Sequence, residues 1–151
     1  MKRTLAAILP LILCLPGLVS AAGPKCQVGI LKGQYVFTAS GFTRPPASLP
    51  GTPWVPKAIV EVLHFNGDGT LSAPVVAVAN PFGDFGNFLN PPSGGAAGLY
   101  SIDDDCSGSM QFQDAAGVAF KFFAAPGGDT IWMIQSNPPN NVFQGSAKRV
   151  W

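Results

Sequence analysis

"KAIVEVLHFNGDGTLSAPVVAVA", from Lys57 to Ala79, is the stretch that decides the architecture. Lys57 to Phe65 is a short apolar run with no helical period. Asn66-Gly67-Asp68-Gly69 follows, a tight-turn sequence because Gly and Asn tolerate positive φ. Thr70 to Ala79 is then the returning arm of a hairpin, and Pro74 marks an edge or a bulge in it.

Glu61 and His64 are the only ionisable groups inside "AIVEVLHF". Their odd separation points them to opposite faces of a regular strand. Glu61 shares its face with Ile59, Leu63 and Phe65, the bulkier set, and is expected inward. A desolvated carboxylate there has a raised pKa and is the candidate proton donor or acceptor. The alternative is a solvated Glu61 near a rim, or one held by a structural hydrogen bond. His64 is expected outward beside Ala58, Val60 and Val62. That apolar outer stripe suits a contact in a dimer or trimer, or packing under the proline-rich segment.

The same rhythm runs through the rest of the chain. Apolar or alternating runs cover Gly33 to Phe42, Leu99 to Asp103, Ser109 to Gln113, Val118 to Ala125, Thr130 to Ser136 and Val142 to Val150. With the two arms of the hairpin these are eight runs. Short turns make sequential strands antiparallel neighbours, and closing the set removes both exposed edges. The fold expected is all-β: a single eight-stranded antiparallel up-and-down β-barrel, with a β-sandwich as the alternative. Strict alternation turns Tyr35, Phe37 and Ala39 to one face and points Met110, Phe112, Phe120 and Phe122 inward. Consecutive connections alternate ends, so the first and third share one mouth.

The chain opens with "MKRTLAAILPLILCLPGLVSAAG", a basic head, an apolar run and small residues at Val19-Ser20-Ala21. That is the pattern of a cleaved secretory signal. The domains expected are residues 1–21 as signal peptide and 22–151 as barrel, with a secreted or periplasmic address. The remainder carries seven basic and eight acidic side chains. It has no basic stripe for nucleic acid and no polybasic patch or second apolar span for a membrane. Cys14 leaves with the signal, and Cys26 and Cys106 are expected to bridge, the alternative being two buried thiols. A bridge would close a ring of about 80 residues, worth roughly 4–5 kcal/mol in the chain-entropy model.

Metal and hydrolase chemistry find little support. One histidine and two distant cysteines form no ligand cluster. Asp103-Asp104-Asp105 alternates sides and reads as a solvated turn entry, and "NGDGT" lacks the terminal Glu of an EF-hand loop. No Gly-x-Ser-x-Gly elbow accompanies His64. No metal and no cofactor is expected.

"NPFGDFGNFLNPPSGG", from Asn80 to Gly95, places Phe82, Phe85 and Phe88 in a connection too rich in Gly, Asn and Pro for regular structure. On a barrel such a connection lies at a mouth. The three rings are a greasy lid, a permanent plug or a partner-docking patch, and Trp54 in the other long connection meets them if both lie at one end.

"GQYVFTASG", "FNGDGTLS", "GLYSIDDDCSGS" and the terminal "GSAKR" resemble a group of small exported microbial proteins. These are related in architecture to allene oxide cyclases and plant dirigent proteins, the calycin-like barrels. The similarity runs from Tyr35 to Arg149 and lies in glycine, turn and core positions, so it speaks for fold more than reaction. In lipocalin relatives a Gly-x-Trp on the first strand is covered by a basic residue near the last. Gly33-Gln34-Tyr35 and Arg149 take those places here, Tyr replacing Trp, as a structural plug with the guanidinium over the ring. The resemblance implies a small hydrophobic molecule bound inside the barrel, and cyclisation by shaping the substrate in a water-excluding cavity. No catalytic residue is carried over from it.

The ligand-binding set expected is therefore Tyr35, Phe37, Phe65, Phe82, Phe85, Phe88, Tyr100, Phe112 and Phe120, with Glu61 as catalytic candidate. Two functions follow. One is a binder of a small hydrophobic ligand which, if catalytic, is a cyclase or isomerase. The other is a non-catalytic structural or interaction protein whose barrel is filled with side chains.

Overall fold

The computed structural model describes residues 23, 25–44, 51–79, 96–113 and 117–151. After a single 3-10 turn at Val28–Ile30 come eight strands: β1 Lys32–Thr43, β2 Val55–Asn66, β3 Thr70–Ala79, β4 Ala96–Ile102, β5 Ser107–Phe112, β6 Ala119–Ala124, β7 Thr130–Asn137 and β8 Asn141–Arg149. Each pairs antiparallel with the next, and β8 returns to β1, giving a closed up-and-down barrel. The barrel expected from the alternating runs is the fold observed.

The 57–79 hairpin folds as its residues dictate. Gly67 and Gly69 take φ of 83° and 94°, values open to glycine and strained for most side chains. Asp68 accepts hydrogen bonds from the Thr70 amide (2.9 Å) and hydroxyl (2.6 Å). Those bonds, the hydroxyl's first, hold its carboxyl below the ordinary range. Pro74 sits at a bulge: Val62 pairs with Val75 and His64 with Ser72, so two β3 residues oppose Leu63. The bulge reverses parity along β3. Leu71 and Ala73 are buried before it, and Val76 and Val78 pack against the core after it.

Inward side chains follow the alternation. Tyr35, Phe37, Leu63, Phe65, Met110, Phe112, Phe120 and Phe122 are all buried, with Leu31, Ile131 and Ala147 among them. His64, Ala58 and Val60 lie exposed on the outer wall. The strand ends differ slightly from expectation. β5 begins at Ser107 because Asp105 accepts from its amide (3.0 Å) and hydroxyl (2.7 Å), turning the chain straight into the strand. Asp104 pairs with Lys25 at 3.0 Å, so the acidic run is spent on the turn and a surface ion pair.

Cys26 and Cys106 form a disulfide across 80 residues. It ties the segment before the 3-10 turn to the β4–β5 turn, where the Cys26 amide also donates to the Asp104 carbonyl (3.1 Å). Replacing both cysteines by serine is expected to lower unfolding free energy by roughly 2–5 kcal/mol, nearer the upper figure for so long a loop. Urea denaturation of the oxidised protein against the double variant measures it.

Candidate functional site

The barrel's two ends differ in chemistry. At the end holding the starts of β1, β3, β5 and β7, the 3-10 turn folds across the opening and Leu31 is fully buried beneath it. The Tyr100 hydroxyl meets the Val28 and Leu31 carbonyls at 2.9 and 3.0 Å. The Tyr35 hydroxyl donates to the Gly128 carbonyl (2.6 Å) and accepts from Arg149 Nη2 (2.9 Å) and Nε (3.1 Å). Arg149 also donates to the Ile30 carbonyl (2.6 Å) and pairs with Asp129 (3.0 Å). Its guanidinium lies 5.4 Å from the Tyr35 ring centre.

Tyr35 packs edge-on against Phe65 (5.1 Å), and Phe65 against Tyr100 (5.0 Å). This end is sealed by side chains. Three of the expected ligand-lining residues, Tyr35, Phe65 and Tyr100, belong to that seal and lie away from the opposite mouth.

At the opposite end β1, β3, β5 and β7 finish and β2, β4, β6 and β8 begin, so the first and third connections join strands at this one mouth. Phe37, Phe120 and Phe143 form a second aromatic string here, at 5.6 and 5.8 Å, with Phe112 buried on β5 beside the mouth. Trp54 stands at the rim with the Arg44 guanidinium 4.8 Å over its ring. Phe82, Phe85 and Phe88 lie outside the described residues.

Among the described residues the buried polar side chains are Thr43, Glu61 and Gln135. All three stand on the inward parity of their strands, Thr43 and Gln135 toward this mouth and Glu61 at mid-barrel. Glu61 is 7% exposed, in register with Phe37 on β1 and Val76 on β3. Gln135 pairs with Phe120. Its amide nitrogen donates to the Asn137 carbonyl (2.8 Å), while its Oε1 is buried with no partner among the described residues. An orphaned acceptor of this kind costs about 1–3 kcal/mol, a cost that a donor brought into the site would offset. Gln135 and Phe143 were missed in the sequence, although parity with Ile131 and Met133 on β7, and with Ala147 on β8, pointed to them.

The candidate site thus gathers Phe37, Phe112, Phe120 and Phe143 with one buried carboxyl and one buried amide, at the end of the barrel opposite the Tyr35–Arg149 seal. Its architecture defines a closed, antiparallel eight-stranded barrel with one end plugged. Comparison with protein-family models, curated proteins and solved structures finds no match to this chain.

Burial pushes the Tyr35 hydroxyl above its ordinary value of 10.0, against the Arg149 guanidinium that draws it down. The unfolded chain therefore ionises first, and stability falls as pH rises through the ordinary value and beyond. Tyr35→Phe is expected to lose about 1–3 kcal/mol at neutral pH, through the lost hydrogen bonds, and to lose less on going alkaline. Denaturant midpoints of both forms between neutral pH and pH ~11 test the sign.

Proposed function

We propose that this is an exported barrel whose open half binds a small, mainly apolar molecule carrying a hydrogen-bond donor. One observation carries the reading: the buried polar groups Thr43, Glu61 and Gln135 all stand on the inward parity of their strands, and the Gln135 acceptor is unsatisfied among the described residues. A core built only for stability gains nothing from an orphaned amide there. Phe37, Phe112, Phe120 and Phe143 offer the apolar surface that such a ligand would cover. The basic head, the apolar run and the disulfide support export. The closed eight-stranded architecture also suits the likeness to allene oxide cyclase-like and dirigent-like barrels.

On this reading the ligand's donor meets Gln135 Oε1 and its apolar body lies against the phenylalanines. Where the ligand is turned over, Glu61 is the acid–base group, in a chamber that keeps water from the reacting conformer. The second reading, a structural barrel without ligand, is favoured by the side-chain filling of the Tyr35–Phe65–Tyr100 half.

Native mass spectrometry of the protein from its own host separates the two. The expected spectrum begins at Ala22 and shows a retained small molecule. Ligand-free protein alone supports the filled barrel. Gln135→Leu is expected to weaken binding of the retained compound by about 5–30-fold, the loss of one buried hydrogen bond. Glu61→Gln is expected to keep affinity and abolish turnover; equal turnover by both forms dismisses Glu61 as the acid–base group.

A further inference from the structure

The outer wall carries a second concave site, independent of the chamber within. Along β6, β7, β8 and β1 the outward side chains line up in two rows across the strands. In register, Phe123 faces Trp132, Trp132 faces Ser146, and Ser146 faces Thr38. The neighbouring row runs Lys121, Ile134, Gln144 and Ser40. Tall apolar side chains thus stand on β6 and β7, and smaller polar ones on β8 and β1. Between them lies an open trough of about 810 Å³, within the range of small-molecule sites.

Ala39, Met133 and Gly145, in register with one another, stand on the inward parity of their strands and lie between the outward rows that line the trough.

The chemistry of the lining narrows the occupant. Phe123, Trp132 and Ile134 remain 50%, 53% and 51% exposed, an apolar wall left in water. Facing it are three hydroxyls and an amide with no formal charge, and among the described residues Lys121 is the one cation lining the trough. A lipid tail would bury those hydroxyls and that amide without partners. A polyanion would find a single positive charge. A ring with C–H bonds on one face and hydroxyls around its edge satisfies both walls.

We propose that this trough is a carbohydrate-binding cleft for a neutral glycan. A pyranose ring stacks its C–H face on Trp132 and Phe123, rigid plates that lose little conformational freedom on binding. Its hydroxyls exchange hydrogen bonds with Thr38, Gln144 and Ser146.

The test uses the full chain and soluble hexasaccharides of glucose, mannose and N-acetylglucosamine, followed by NMR and calorimetry. At least one is expected to bind with Kd of about 1 mM or tighter, shifting the Trp132 indole and the Gln144 and Ser146 signals. Trp132→Ala removes the wall, and Ser146→Leu fills the floor while leaving the interior untouched. Each is expected to weaken binding about tenfold or more with the interior spectrum unchanged. No shift with any sugar up to about 10 mM overturns the proposal. So does a dimer, or co-sedimentation with phosphatidylcholine vesicles, that both substitutions abolish; these would give the trough to a second copy or to a membrane.

Discussion

The pairing of β1 with β8 is the constraint on which everything else rests. Nine register pairs, from Tyr35 with Arg149 to Thr43 with Asn141, join the two ends of the sheet. Closure leaves neither strand as an edge and divides every strand into an inner and an outer set of side chains. At its far end the same seam positions the seal, since Tyr35 and Arg149 are both register partners and hydrogen-bond partners. Sealing is thus a by-product of closing, achieved where a buried phenol and guanidinium satisfy each other and the carbonyls of the 3-10 turn and the β6–β7 turn.

From that seam the interior grades from filled to polar. Tyr35, Phe65 and Tyr100 interlock at the sealed end, with each tyrosine hydroxyl spent on a backbone carbonyl. Toward the mouth the buried positions change to Glu61, Gln135 and Thr43 among phenylalanines. The β3–β4 seam changes in the same direction. Among the described residues β4 pairs with β3 only from Thr70 to Ala73, and β3 beyond Pro74 pairs with β2 alone. Interlocked aromatic rings thus mark the sealed end, and the buried polar side chains lie in the rest of the interior.

Alternation places the two proposed sites back to back. Phe122 and Met133 face inward, while their neighbours Phe123 and Trp132 face water across the same two strands. A ligand inside and a glycan outside would thus share one wall without sharing a side chain. The inner site draws on aromatic rings and a carboxyl shielded from water, the outer on an aromatic plate beside solvated hydroxyls.

What the sequence determined by itself is the local geometry: eight strands, their antiparallel order, the turn at Asn66–Gly69 and the inward parity of Phe37, Glu61, Phe112 and Phe120. These were legible because a strand's two-residue period and a glycine's backbone freedom are properties of adjacent residues. Tertiary structure alone decided which groups meet. Gln135 and Phe143 joined the buried interior, Tyr35, Phe65 and Tyr100 went to the seal, and Phe123, Trp132, Ser146 and Thr38 lined up across four strands. Those outcomes depend on register and closure between residues up to 114 positions apart. The free energy of such contacts arises only after the sheet has closed, so no local pattern encodes them.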